Sequence, residues 1–189
     1  QTRDDAAGEA FDKAAKLLDI GFPGGLVVDR LAKQGDRRAI AFPRPMKGSL
    51  DFSFSGLKTA LLTHLKKCSQ KPDDAALADI AASFQEAICD VLVDKTLQAA
   101  SEHGVNRVVV CGGVAANSRL REKFESEASD RGIQTFIPPP VLCTDNAAMI
   151  AVVGHHLISE GRTDPYDLNA VSRWPLEDEP EGECPSGTH

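Results

Sequence analysis

The stretch RVVVCGGVAANSRL, Arg107 to Leu120, decides the fold. Asn106 to Cys111 reads as a buried-type strand, Gly112 and Gly113 follow, and Ala116 to Arg131 has the composition of a helix. Downstream, Gln134 to Ile137 reads as a second strand. Pro138, Pro139 and Pro140 form a rigid connection, and Thr144 or Asp145 caps a last helix running to about Glu160. A strand–helix–strand–helix order favours a parallel sheet and places the chain in the α/β class.

Upstream of this unit the pattern is helical. Asp4 or Asp5 is expected to cap a helix running to about Leu18, which Gly21, Pro23, Gly24 and Gly25 break. A helix from Leu26 to Lys33 follows and ends near Gly35. Ala39 to Phe42 is a short apolar run leading into proline-rich loop. Phe52 and Phe54 alternate with polar residues, as in a short strand over Asp51 to Ser55, and Gly56 to Lys67 reads as a helix. The longest periodic stretch is Asp73 to His103. Leu77, Ala81, Phe84, Ile88, Val91 and Lys95 recur at three- and four-residue steps, the spacing of one buried helical face. Lys95 is its only polar member. Gly104 stops this helix.

Composition bounds the possibilities. The 189 residues carry a 42% hydrophobic and a 26% charged fraction, ordinary for a globular protein with a real core. A net charge of −7 argues against autonomous, high-affinity nucleic-acid binding, but allows a nucleic-acid substrate if a partner supplies basic surface. The five cysteines form no CxxC pair, and Cys89 and Cys111 sit in apolar segments. Reduced, buried thiols are therefore expected. No signal peptide and no membrane-length apolar run occurs in the sequence given. Gln1 is not an initiator, so the chain is expected to begin within a larger protein. From Thr163 the composition shifts. Glu177 to Glu183 is acidic with Pro and Gly, the composition of a disordered tail, and Trp174 is expected to pin its start.

Four segments could carry chemistry. At Gly112–Gly113 the chain can approach a ligand and the following helix start can attract anions. It can equally be a tight turn with Asn117 as a helix cap. It matches neither GxGxxG nor a Walker loop. In the opening helix Asp5, Glu9 and Asp12 share one face with Lys16: a ribose-binding carboxylate, or a solvated acidic row. Gly8, costing about 1 kcal/mol against Ala in a helix, suggests that something approaches closely there. FPGG, Phe22 to Gly25, reads as a loop or a ligand cradle. In CTDNAAMIA, Cys143 to Ala151, Asp145 stands after a strand exit as a cap or a hard metal ligand. His155 and His156 lie about 15 Å further along the same helix by its rise, too far to share an ion with Asp145. His64 and His103 lack ligand spacing. No Ser-His-Asp set, HExxH helix or reactive-cysteine setting is present.

Taken together, DDAAGEAFDK (Asp4–Lys13), FPGG, DFSFSGLKT (Asp51–Thr59) and CGGVAANSRLR…CTDNAAMIA (Cys111–Ala151) resemble the TsaD family. These are the tRNA threonylcarbamoyladenosine transferases long labelled O-sialoglycoprotein endopeptidases or glycoproteases. The resemblance runs from about Asp4 to Gly154, and RWPL (Arg173–Leu176) fits the family's C-terminal end. It implies the C-terminal, RNase H-like lobe of an actin-like ATPase (ASKHA) fold with added helices, over residues 1–161, and a partly disordered tail over 162–189. It implies transfer of threonylcarbamoyl from threonylcarbamoyl-AMP to N6 of the adenosine beside the anticodon. By matching position, Asp12, Gly25, Asp29 and Asn117 look like adenylate or ribose contacts. Gly112 and Gly113 would let the chain pass close to that ligand, and Asp145 looks like one ligand of a divalent metal, iron or zinc. The implied adenylate is threonylcarbamoyl-AMP, or ATP or ADP. Implied partners are tRNA, a paralogous actin-like subunit and a small ATPase, in the cytoplasm and without a membrane.

The family's HxxxH metal pair and SGGHT-type loop are absent from this sequence, and Leu26 stands where the family usually has Pro. The chain thus looks like the C-terminal half, inactive alone and weak for metal. Two other readings follow from the family's older label and from the missing half: a metal-dependent glycoprotease, for which a HExxH-like Glu is lacking, or a non-catalytic partner-binding lobe.

Overall fold

The computed structural model describes residues 1–68 and 70–169. The acidic stretch, Trp174 and RWPL lie outside the described residues. The chain divides into two compact units, Gln1–Asp145 and Asn146–His189.

In the first unit, helices precede a small sheet: α1 (Ala7–Leu18), α2 (Gly24–Ala32), α3 (Ser55–Lys67), α4 (Asp74–Glu102), β1 (Arg107–Val109), α5 (Ser118–Asp130) and β2 (Gln134–Phe136). The two strands pair in parallel, with Val108 opposite Thr135. The α/β class and the parallel pairing expected around α5 are both realised. Among the described residues no helix is long and apolar enough to cross a membrane.

The 29-residue α4 is the spine. Asp73 caps it through the Ala76 amide. Its first half packs Ile80, Phe84 and Ile88 against Phe11, Ala14, Val28, Leu57 and Leu61 of the three preceding helices. Its second half packs Cys89, Val93 and Leu97 against Leu120, Phe124 and Ile133. Gly35 closes α2 onto α4: a Cβ there would overlap the Ala78–Asp79 backbone.

Several local expectations are corrected. Neither Asp4 nor Asp5 caps α1, which starts at Ala7 with Glu9 accepting from the Ala6 amide. Helix α2 begins at Gly24, two residues early, because Asp12 of α1 accepts from the Gly24 amide at 2.8 Å. The segment around Phe52 makes one isolated parallel bridge with Thr2 rather than a strand. Asp4 ends the extension by accepting from the Phe54 and Ser55 amides, thereby starting α3. Residues Gly113–Ala116 form a 3₁₀ turn, and Asn117 interrupts before α5 begins. The strand expected over Asn106–Cys111 is not buried throughout. Arg107 and Val109 face solvent, Val109 at 68% exposure, and Cys111 is exposed at the Gly112 turn. A two-stranded sheet covered on one face cannot bury both.

The second unit contains α6 (Ala147–Ser159), capped by Asn146 through the Met149 amide rather than by Thr144 or Asp145. It is apolar yet buries none of its residues.

Candidate functional site

Three aspartates placed early in the chain organise the candidate site by capping helices other than their own. Asp4 accepts from both hydroxyls and both amides at the start of α3: Ser53 Oγ and Ser55 Oγ at 2.6 Å, Phe54 N at 2.8 Å and Ser55 N at 3.2 Å. Desolvation raises its pKa, but these four donors outweigh it and hold the carboxyl far below the usual range. Asp12 caps α2, as described. Asp29 of α2 accepts from Ser118 N at 3.3 Å and Ser118 Oγ at 2.8 Å, at the start of α5, with Lys33 at 3.7 Å from its other oxygen. Capping carboxylates fill otherwise orphaned amides and oppose the positive helix end.

Asn117 is 93% buried, with 7% relative exposure. Its Oδ1 accepts from the Leu120 amide at 3.0 Å, capping α5, and its Nδ2 donates to Gln85 Oε1 of α4 at 2.7 Å. One amide N–H remains for anything else. Next to it, Arg119 grips Glu86 of α4 with two donors at 2.6 and 2.8 Å. The Gln85–Asn117 and Glu86–Arg119 contacts fix where α5 starts. Burial acts to raise the Glu86 pKa, but Arg119 and then Lys123 overcome it and hold it below the ordinary value.

These contacts draw the predicted positions into one wall of the first unit. Gly8 of α1 meets the Val114 side chain, so the close neighbour suspected there is the 3₁₀ turn. Gly24, not Gly25, is the glycine demanded by packing: a Cβ on it would overlap the Phe11 carbonyl and the Asp12 backbone. Gly25 and Gly113 look into open space. Gly112 turns the chain with φ 92°, a conformation that favours glycine. Beside Asp12 lies an open depression of about 410 Å³ lined by Lys13, Ala15, Lys16, Asp19 and Phe22. The shared acidic face expected with Lys16 is rearranged. Asp5 lies outside the helix and pairs with Lys13 at 2.5 Å, which raises the Lys13 pKa.

Asp145 is exposed and has no intramolecular hydrogen bond or ion pair among the described residues. No group of three His, Cys, Asp or Glu that could hold a metal ion occurs among them. The donor set of the described residues therefore does not by itself fit a bound metal. His156 pairs with Glu160 at 3.2 Å, and His64 packs its ring against Phe42.

Lys95 is the functional-looking residue whose role the sequence hid. The residue is 7% exposed, and its ammonium donates to the carbonyls of Met46, Ser49 and Asp51 at 2.7, 2.5 and 2.6 Å. It stands 5.6 Å from the centre of the Phe52 ring. The one polar position on the apolar face of α4 was the available signal.

The fold and the wall of helix starts define an α/β protein of the kind seen in two solved structures. One is HypF from T. kodakarensis, with a TM-score of 0.61 and 22% identity over 84% of this chain and 21% of that one. The other is a full-length HypF, with a TM-score of 0.60 and 17% identity over the same shares. The particular family is set by sequence. The family model for TsaD, tRNA N6-adenosine threonylcarbamoyltransferase, matches residues 1–152, and the chain belongs to that family. Relatives bearing that name are 65% identical over 177 residues in Syntrophus aciditrophicus and 58% identical over 179 in Geobacter metallireducens. Each match covers 94% of this chain and 52% of the relative, so the chain spans about half the length of those proteins.

Proposed function

We propose that this chain is the adenylate-binding half of a threonylcarbamoyltransferase acting on tRNA, with the RNase H-like lobe of an actin-like fold. The observation that supports the reading is that Asp12 caps the start of α2 and that Asp29 and Asn117 cap the start of α5, while Gly25, Gly112 and Gly113 face open space. Helix starts favour an anionic ligand, and the open space at Gly25 and Gly113 lets one approach the backbone. The free oxygen of Asp12 suits a ribose hydroxyl.

The reaction needs little more than placement from these residues. Threonylcarbamoyl-AMP is a mixed anhydride. Adenosine N6 attacks its carbamoyl carbon, the bond to the AMP phosphate oxygen breaks, and the N6 proton is lost as AMP departs. Holding the adenylate rigidly against the incoming base is catalysis by orientation. The Asp145 carboxylate would be one ligand to a divalent iron or zinc ion. Its other ligands would have to come from outside the described residues, and no step above is routed through the ion. The tRNA, the actin-like and small-ATPase partners and the cytoplasmic location belong to the same reading.

Gly25→Ala and Gly113→Ala give the test, because added methyls there meet no protein atom. Calorimetric titration with ATP should show binding to the parent chain. Each variant should lose affinity at least tenfold with no fall in its melting temperature. ATP affinity indifferent to both substitutions would sink the assignment.

A further inference from the structure

The net charge of −7 conceals a strong asymmetry. Residues 30–71 hold ten Lys or Arg, Arg30, Lys33, Arg37, Arg38, Arg44, Lys47, Lys58, Lys66, Lys67 and Lys71, against two acids, Asp36 and Asp51. The rest of the chain is correspondingly acidic. Arg44 is committed to Asp90, and Arg37 and Lys33 stand at 4.0 and 3.7 Å from Glu122 and Asp29. Arg38, Lys47, Lys58, Lys66, Lys67 and Lys71 are exposed and form no ion pair among the described residues.

The fold gathers part of this segment. Asp79 and Ser83 of α4 hold the turn from Asp36 to Ile40. Phe42 then packs edge-on against His64 of α3, laying residues 40–42 along that helix. Between them runs an open groove of about 420 Å³, walled by Thr59, Thr63, His64 and Lys67. Lys66 and Lys67 form the last turn of α3 and Lys71 follows it. Thr59 and Thr63 donate their hydroxyls back to the Ser55 and Thr59 carbonyls. Their oxygens are thereby presented outward as acceptors.

We propose that this face, the groove beside α3 and the cations at the helix end, docks the sugar–phosphate backbone of the RNA substrate. The inference rests on the reading of the chain as part of an RNA-modifying transferase. The exposed ammonium groups suit phosphates, and the threonine oxygens suit the ribose 2′-hydroxyl donors that alternate with them along an RNA strand. Local basic charge on an acidic chain also orients the approach of a polyanion.

The experiment is fluorescence anisotropy of a labelled anticodon stem-loop RNA with the 189-residue chain, titrated at several salt concentrations. The triple variant Lys66→Gln, Lys67→Gln, Lys71→Gln should bind at least tenfold more weakly at low salt. Its slope of log K against log salt should shrink by roughly 2 to 3, about one per lost phosphate contact. Arg107→Gln, Arg131→Gln, Arg162→Gln removes the same charge elsewhere and should stay within about twofold of the parent. Equal losses in both triple variants would overturn the proposal, as would an RNA affinity that neither changes. Tighter binding to phosphatidylserine vesicles than to the RNA would overturn it in favour of a membrane. ATP titration of the same variants separates the two readings. Failure here with ATP binding intact leaves the adenylate wall standing; a parent chain that binds the RNA but whose ATP affinity ignores Gly25→Ala and Gly113→Ala sinks that wall and not this face.

Discussion

At the scale of single residues, Lys95 has the largest predicted effect. Its ammonium serves three carbonyls of partly buried residues, and it arranges the Met46–Asp51 loop that leads into the DFSFSG segment. Lys95→Met keeps the side-chain volume and apolar stem but strands those acceptors. Unfolding in urea should show a loss of about 2–4 kcal/mol, since each buried orphaned acceptor costs about 1–3 kcal/mol. Asn117 presents a related case. Asn117→Ala removes the α5 cap and leaves Gln85 Oε1 without its donor. A loss of about 1–2 kcal/mol is expected, measured the same way. Because this cost is structural, a fall in nucleotide affinity for Asn117→Ala counts as ligand contact only if binding is measured well below its melting temperature.

At the scale of elements, adjacent glycines have opposite meanings. Gly24→Ala drives a methyl into the backbone of α1 at Phe11 and Asp12, and should destabilise the chain by more than about 2 kcal/mol. Gly25→Ala places a methyl in open space in the first turn of a helix, and should be neutral or stabilise by up to about 1 kcal/mol. Thermal melts of the pair check both. Helix α6 makes the complementary point. Ile150 and Val152 are 76% and 70% exposed. Replacing both with Lys removes little buried area. The melting temperature should move by less than about 2 °C, while binding of a hydrophobic dye falls.

At the scale of the whole molecule, stability should depend on pH through its capping and paired carboxylates. Asp4, Glu86 and Asp51 all have folded pKa values below their ordinary ones. For Asp51 the amine of Gln1 contributes most, with the Arg3 guanidinium beside it. A lowered carboxylate pKa gives stability that is present above the unfolded value near 4 and lost as pH falls through the folded value. Melting temperature should therefore be flat from about pH 7 to 5 and drop below about pH 4. Asp4→Asn should make that drop shallower. A melt that rose on acidification would contradict these assignments.

The sequence by itself determined the family, the α/β class and the span of α4. Those features are local or periodic: an apolar face repeating every three to four residues, a glycine pair after a strand, motif blocks in a fixed order. It also marked Lys95 as an anomaly without saying what it binds. Only the tertiary structure decided which end each cap serves. In the sequence Asp4 looks like a cap of the helix beside it and Asp12 and Asp29 like ligand contacts, yet they close α3, α2 and α5 across 50, 12 and 89 residues of chain. Capping chemistry is legible in a carboxylate, but the amide it will meet depends on how helices cross. The exposure of Cys111 and Val109, and the choice of Gly24 over Gly25 as the packing glycine, were hidden for the same reason. Burial and close approach are properties of pairs of elements, and a single strand or helix start does not carry its neighbour's position.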